Sequence, residues 1–369
     1  MTRLGGYAVY MSSTLRIGTS HKGRAALSNR ESRYSATQVH RDEEWDEGIE
    51  GPSPVTECRP ETVRSIIATN QSPDVPFEQS INPYRGCEHG CIYCYARPTH
   101  AWLDLSPGLD FETRLSYKRN AAEQLEQEFR HPGYTCKPIT IGANTDPYQP
   151  IEKEYRITRQ VLEVMQRYRH PFTIITKGNL VLRDLDILQD MARDRLCTVG
   201  ISVTTLDRDL KRIMEPRTPS PQARLRCIEE LTRAGIQVSV LMGPVIPAIN
   251  DAEIESILEA VADAGASAAT YILLRLPLEI RELFQEWLQQ HFPLRAEHVM
   301  SLLRQSRGGK DYDTRFGHRM RGTGEFADLI ERRFRLACKR YGLGRREQIG
   351  TDSSHFRLPP ATGDQFNLF

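Results

Sequence analysis

Between residues 80 and 274, short β-branched runs alternate with amphipathic stretches, and that alternation leaves the chain very few folds. The runs lie at 80–84, 139–142, 172–176, 198–203, 238–242 and 270–274. Ile157, Val161, Val164 and Tyr168 recur at i, i+4, i+7 and i+11, and Ile254, Ile257, Leu258 and Val261 at i, i+3, i+4 and i+7, so each set forms one helical stripe. Asp207 and Ser220 stand where helices can start, and Gly235 and Gly265 where they can stop. Strands separated by helices must run parallel, joined by right-handed crossovers. Eight units would close a barrel and six leave it open. The expected class is therefore α/β, a partial (β/α)6 TIM-like barrel with a helical C-terminal extension. In such barrels chemistry sits at the C-terminal ends of the strands.

The run Cys87-Glu88-His89-Gly90-Cys91-Ile92-Tyr93-Cys94 follows the first strand, at that end. Three thiols so close can converge on one metal centre, one ligand short of a closed site. Two metals fit this spacing. A cubane [4Fe-4S] cluster would leave one iron open for a ligand bearing an amine and a carboxylate, whereas zinc would need His89 or His100 to complete a Cys3His set. The spacing could also be a helical stripe, but Gly86 and Gly90 oppose a continuous helix, each costing about 1 kcal/mol in a helix interior. A loop wrapping a metal is the expectation. Cys58, Cys136, Cys197, Cys227 and Cys338 are scattered singly and read as ordinary packed or surface thiols.

The remaining strand exits supply the other candidates. After the second strand come Asn144, Thr145, Asp146, Tyr148 and Glu152, in a stretch that also has the composition of a turn. The third ends in Thr176-Lys177-Gly178, where a lysine can neutralise a carboxylate. The fourth ends at Ser202 and is followed by Glu215-Pro216-Arg217-Thr218-Pro219, where flanking prolines extend the backbone around an arginine suited to carboxylate or phosphate. The segment 243–247 is apolar enough to wall an adenine. Arg275 lies among leucines and needs a partner if buried.

With Tyr93 in the aromatic slot, the C-x3-C-x-aromatic-C run resembles the hallmark of the radical SAM superfamily. The Thr-Asp-Pro-Tyr-Gln-Pro, Thr-Lys-Gly and Glu-Pro-Arg segments resemble its spore-photoproduct-lyase-like branch, and most nearly an uncharacterised bacterial subgroup of it. That resemblance implies a [4Fe-4S] cluster on Cys87, Cys91 and Cys94 and S-adenosyl-L-methionine (SAM) as cofactor. It places Tyr93 near the adenine and Thr145, Lys177 and Ser202 against SAM, with Lys177 at the carboxylate; Arg217 joins them as a cofactor-binding candidate. Tyr93 and Tyr95 match tyrosines of the lyase's hydrogen relay, which makes Tyr95 the catalytic candidate. A reductant such as flavodoxin or ferredoxin is the implied partner. The match fails at one place. The lyase has a hydrogen-donating cysteine at the second strand's exit, where this chain has Ala143-Asn144, and Cys136 precedes that strand at the opposite end of the barrel.

The 369 residues, 39% of them hydrophobic, can fill one large core or two modest ones. No run of 18 apolar residues suggests a membrane span, and no secretory signal is evident, so the expected location is cytoplasmic, with reduced thiols. Residues 1–60, with little apolar periodicity and an acidic run at 42–47, read as a mostly disordered arm in which Met11 could be the true start and the basic stretch from His21 to Arg33 could touch nucleic acid but reads rather as a solvated tail. Residues 61–295 form the expected core and 296–369 a basic helical extension and tail. In 295–346 basic residues outnumber acids about two to one, among glycines and aromatics. This segment is either a solvated face closing the open barrel or a clamp for nucleic acid. The expected function is reductive SAM cleavage and hydrogen abstraction from a substrate, with nucleic acid a candidate; the alternative is a zinc-stabilised, non-catalytic nucleic-acid-binding protein.

Overall fold

The computed structural model describes residues 20–30, 32–34, 54–345 and 350–359; the proposed start at Met11 and the acidic run at 42–47 lie outside them. All six expected strands form, as β1 (Gln79–Ile81), β2 (Ile139–Ile141), β3 (Phe172–Thr176), β4 (Cys197–Ser202), β5 (Gln237–Val245) and β6 (Ala268–Leu273). They lie side by side in chain order and every neighbouring pair is parallel. Ala68–Thr69 adds an antiparallel edge beside β1, and Gly344–Arg345 a parallel edge beside β6. These edges do not pair with each other, so the sheet of eight is open. All six residues of β4 are buried, as expected of a parallel strand covered on both faces.

The crossovers are α1 (Ala121–Phe129), α2 (Ile157–Arg167), α3 (Leu185–Arg193), α4 (Pro221–Arg233) and α5 (Ile254–Asp263). Every residue of both sequence-read stripes is buried in one continuous core. The Asp207 carboxylate accepts from the Asp209 and Leu210 amides, and the Ser220 hydroxyl from the Ala223 amide. Gly235 and Gly265 take positive φ where α4 and α5 end. Beyond β6, α6 (Ile280–His291) and α7 (Ala296–Gln305) precede α8 (Glu325–Arg340), which returns to pack on α5 and β6. Among the described residues no helix is long and apolar enough to cross a membrane.

Two features at the mouth went unread in the sequence. Tyr84–Arg85 and Arg114–Lys118 pair antiparallel in a small sheet completed by Glu57–Glu61, and so stitch together the two ends of the long cysteine-bearing excursion. Below that excursion lies a second apolar core, in which Cys91, Ile92 and Tyr93 pack with Met214, Leu274 and the Phe284 and Trp287 rings of α6.

The basic stretch from His21 to Arg33 is not a solvated tail. Ala25, Ala26 and Leu27 are buried, and Arg24 donates to the Glu112 carbonyl at 2.8 Å. Arg30 pairs with Glu282 at 2.7 Å and with Glu286, and Arg33 with Glu279 at 2.6 Å, which straps the segment across α6. Its few apolar residues are too short a run to carry a periodic signal, and its charges have partners more than 80 positions away.

Candidate active site

The cysteine loop is set by its own backbone. Gly90 N–H donates to Cys87 O, Cys94 N–H to Cys91 O and Arg97 N–H to Cys94 O, so the chain coils through the three thiols in successive turns. Gly90 has a φ of 67°, and a Cβ there would lie 2.7 Å from the Glu112 carboxylate, so glycine is required on both counts. That carboxylate is the loop's anchor. Glu112 pairs with Arg97 at 2.5 Å with both side chains wholly buried, and also accepts from the Ala25 and Ala26 amides at 3.3 and 3.0 Å. Arg97 in turn donates to the carbonyls of Cys91, Gly90, Pro107 and Gly108 at 2.9 to 3.1 Å. The strap, the helical turn at Leu109–Thr113 and the cysteine loop therefore share one buried ion pair.

Burial pushes the Cys91 thiol up to about 12, with Glu215 adding to the shift and Lys177 opposing it. Cys87 is raised by burial and then by the charges of Asp146, Cys91 and Cys94, so the three sulfurs sense one another. A metal must displace protons from such thiols. Backbone amides face two of them: that of Asp146 favours the Cys87 thiolate, and those of Ala96 and Arg97 the Cys94 thiolate. Among the described residues no three His, Cys, Asp or Glu side chains converge to ligate a single metal ion. Three thiols carried on one coiled loop are the donor type that a cubane takes, each thiolate on its own iron, so the donor set fits the cluster. His100 Nε2 donates to Arg114 O at 2.9 Å, and His89 Nδ1 lies 3.2 Å from Asp146.

Consecutive strand exits build the rim beside this loop. Asp146, after β2, accepts from the Thr176 hydroxyl at 2.6 Å and from the Lys177 and Tyr148 amides at 2.7 and 2.9 Å, which ties two strand ends together. Burial alone would raise its carboxyl, but His89 and these donors bring it down to about 2. Lys177 continues the half-buried face of β3, with its ammonium 5.7 Å from the centre of the Tyr93 ring. Burial would lower that ammonium; Cys91 and Glu215 outweigh burial and hold it above the ordinary lysine value.

Glu215 is wholly buried and accepts from Tyr93 Oη, from Thr204 Oγ1 at 2.5 Å and from Arg224. Burial opposes its ionisation, yet Arg224 and Lys177 bring it down to about 2. Arg224 spends its other donors on Thr218 Oγ1 at 2.6 Å and the carbonyls of Ser202 and Pro219 at 3.0 and 3.2 Å. The Glu215–Arg224 pair thus locks the exit of β4, while Asn250 bonds Thr204 O, Pro244 O and the Ile246 amide to join the exits of β4 and β5.

Thr145, Lys177 and Ser202 stand at three neighbouring exits. Thr145 is buried, its hydroxyl donating to Tyr84 O at 2.9 Å, and Ser202 offers its carbonyl to Arg224. Arg217 lies against the cysteine loop, where it pairs with Glu88 at 2.6 Å. Tyr95 is half exposed at the mouth and donates to Ala143 O, at the position where the implied donor cysteine is missing. Glu152 is no rim residue: it is buried, accepting from Tyr84 Oη, from the Thr158 amide at 3.0 Å and from Arg183 at 2.6 Å. Sequence reasoning missed Arg97, Glu112, Arg224 and Asn250. A charged residue inside a stretch that must be buried was the available signal for the first three.

Against known proteins, the profile of the Radical SAM superfamily matches residues 81–261. The uncharacterized protein Rv2578c of Mycobacterium tuberculosis is 36% identical over 242 residues, covering 64% of this chain and 71% of that protein. The radical SAM Nalpha-GlyT isomerase of Pseudomonas phage M6 is 27% identical over 194 residues, covering 51% of this chain and 38% of its own. Among solved structures, spore photoproduct lyase complexed with dinucleoside spore photoproduct superposes with a TM-score of 0.56 at 15% identity, over 78% of this chain and 80% of that chain. At that identity the likeness is one of fold.

Proposed function

The chain belongs to the radical SAM superfamily, and on that premise we propose that it is an enzyme whose Cys87, Cys91 and Cys94 hold a [4Fe-4S] cluster for the reductive cleavage of SAM and hydrogen abstraction from a substrate. When bound, cluster and SAM together supply the 5'-deoxyadenosyl radical; the protein's share is to bind, orient and exclude water. The observation that carries the reading is the pairing of three mutually sensing thiols, Cys87 and Cys91 buried and Cys94 half-buried, with a rim where Lys177 and Glu215 hold opposite charges beside Cys91.

Lys177 is the group for the SAM carboxylate, since it is cationic, half-buried and without a direct carboxylate partner among the described residues. Tyr93, fixed by its bond to Glu215, presents the ring beside the adenine, with Thr145 and Ser202 on the adjoining exits and the apolar loop at 243–247 as a wall. Arg217 acts through Glu88 as a support for the loop. Tyr95, at the mouth beside Cys94, is the candidate for passing hydrogen between substrate and radical. Photodimer reversal by the lyase's own route is disfavoured, because Ala143 and Asn144 offer no thiol at the exit of β2.

Nucleic acid is the first substrate class to test, given the lyase's bound dinucleoside and the basic segment after α6. Reaching a base within a duplex would require extruding it, at a cost of a few kcal/mol. A cytoplasmic flavodoxin- or ferredoxin-type reductant completes the scheme.

The test is anaerobic reconstitution with iron and sulfide, followed by iron analysis and electron paramagnetic resonance of the reduced protein with and without SAM. About four irons per chain and a spectrum altered by SAM are expected. Cys91→Ala should lose the iron, and an unchanged iron content would refute the ligand assignment. Lys177→Ala should keep the iron while binding SAM more weakly; coincident isotherms for variant and parent would give Lys177 another role.

A further inference from the structure

Arg275 leaves the end of β6 without an anion to meet. Its Nη1 contacts the Met320 sulfur at 3.0 Å, its Nη2 approaches the Tyr312 hydroxyl at 3.4 Å, and its Nε is buried with no acceptor. A thioether is a weak acceptor and the hydroxyl contact is long, so most of the guanidinium's five donors are poorly used. Beside it lies a second arginine. Arg307 is wholly buried and donates to the carbonyls of His318, Leu273 and Leu274 at 2.8, 3.1 and 2.8 Å, again with an orphaned Nε. Burial, with Arg275 adding to it, brings Arg307 down to about 10. The acids within electrostatic reach, Asp74 and Asp313, are engaged by Arg319 and Arg315. Among the described residues neither Arg275 nor Arg307 has a carboxylate partner.

A half-buried guanidinium beside a wholly buried one, neither with an anion, is a costly arrangement. A protein retains such an arrangement where a ligand supplies the missing charge, and arginine's planar fork is made for oxyanions. The surroundings say where the rest of that ligand goes. The Arg275 guanidinium lies 5.7 Å from the centre of the Tyr95 ring and 5.9 Å from that of Tyr312, and Tyr95 directly follows Cys94 in the chain. Lys177 belongs to a different exit. Two strands separate β3 from β6, so at about 4.8 Å per strand their exits stand on the order of 10–14 Å apart. The mouth therefore holds two separate cationic positions.

We infer that Arg275, backed by Arg307 and flanked by Tyr95 and Tyr312, binds the carboxylate or phosphate of the substrate and lays the adjoining part of that molecule over Tyr95 toward the cysteine loop. This rests on the proposed function and adds that the substrate is anionic next to its reacting part, while the SAM carboxylate is served by Lys177.

The test uses the reconstituted holoenzyme with SAM and no reductant, and three probes sharing one ring: phenyl phosphate, benzoate and neutral benzamide. Calorimetry should give at least one anionic probe an affinity about tenfold or more above benzamide, and the better of the two identifies the oxyanion. Arg275→Met should erase that advantage and Arg275→Lys should retain part of it, with SAM affinity held in both. Arg212→Met, at an exposed helix position, is the control expected to change nothing. Thermal melts establish that each variant is folded. If the anions bind no better than benzamide, or bind Arg275→Met as well as the parent, the inference falls. It also falls if Arg275→Met weakens SAM and leaves the probes alone, because Arg275 would then serve the cofactor. Failure of the parent to form 5'-deoxyadenosine on reduction would strike the proposed function instead, and is read separately.

Discussion

The two ends of this barrel are held together by different forces. At the end where the strands begin, the fully buried packing is aromatic and uncharged, with Glu126 and Arg130 only at its half-exposed edge. Phe129 closes α1 and stacks on His170 with centroids 4.4 Å apart and planes at 6°, with Tyr134, Tyr168 and Phe356 around them. Burial pushes His170 down to about 4, so it joins the cluster as an uncharged ring bonded to Tyr134 Oη at 2.6 Å. At the end where the strands finish, wholly buried side chains carry full charges: Arg97 with Glu112, and Arg224 with Glu215. Apolar replacement of a buried ion pair is often neutral or stabilising. Such pairs are therefore weak evidence for stability and better evidence for positioning, here of the cysteine loop and the exit of β4. The quiet end keeps the fold, and the charged end holds loops in place for chemistry.

Breaking one pair at the mouth should have the largest effect. Glu215→Ala leaves Arg224 charged, buried and unpaired, and should cost about 3–5 kcal/mol in denaturant titrations while also weakening SAM binding. A loss within about 0.5 kcal/mol, as at an ordinary surface site, would show that the web is not holding the exit of β4. Phe129→Ala should cost about 3 kcal/mol, toward the lower end for a buried ring because neighbouring rings can close part of the cavity. Its reconstituted iron and SAM affinity should match the parent, and a drop in either would show that the two ends are coupled.

Acid should separate the ends more finely. His170 has a folded-state value of about 4 against an ordinary 6.5, so the unfolded chain binds more protons between them and stability falls as pH drops through that window. Asp146 and Glu215 are depressed to about 2 from 3.8 and 4.5. Their contribution is present above the unfolded values and is lost as pH falls from there toward 2. The parent should therefore weaken first through the aromatic end and then through the mouth. His170→Phe should flatten only the upper part of the profile, in melts taken from pH 7 to 4. An unchanged slope would place the titrating group elsewhere.

This asymmetry also explains what could be read from the chain. Regular periodicity made β1 to β6, the α2 and α5 stripes and the caps at Asp207 and Ser220 legible, because hydrophobic spacing and capping are local properties. The cysteine spacing marked the loop, and the strand-exit rule drew attention to Lys177. Partners distant in sequence left no local trace. Nothing near Ala25 announces that its amide meets Glu112, nothing near Glu88 that it takes Arg217, and the second core around Trp287 joins residues almost 200 positions apart. Glu152 misled for the related reason that a turn carboxylate facing inward looks, in sequence, like one facing a ligand.

Whether the charged end is built for SAM cleavage is decided by anaerobic reduction of the reconstituted protein with dithionite in the presence of SAM, followed by chromatography of the nucleoside products. The parent should form 5'-deoxyadenosine, and variants lacking Cys87, Cys91 or Cys94 should not. Intact SAM after reduction, from protein carrying tightly bound zinc in place of iron, would contradict that role.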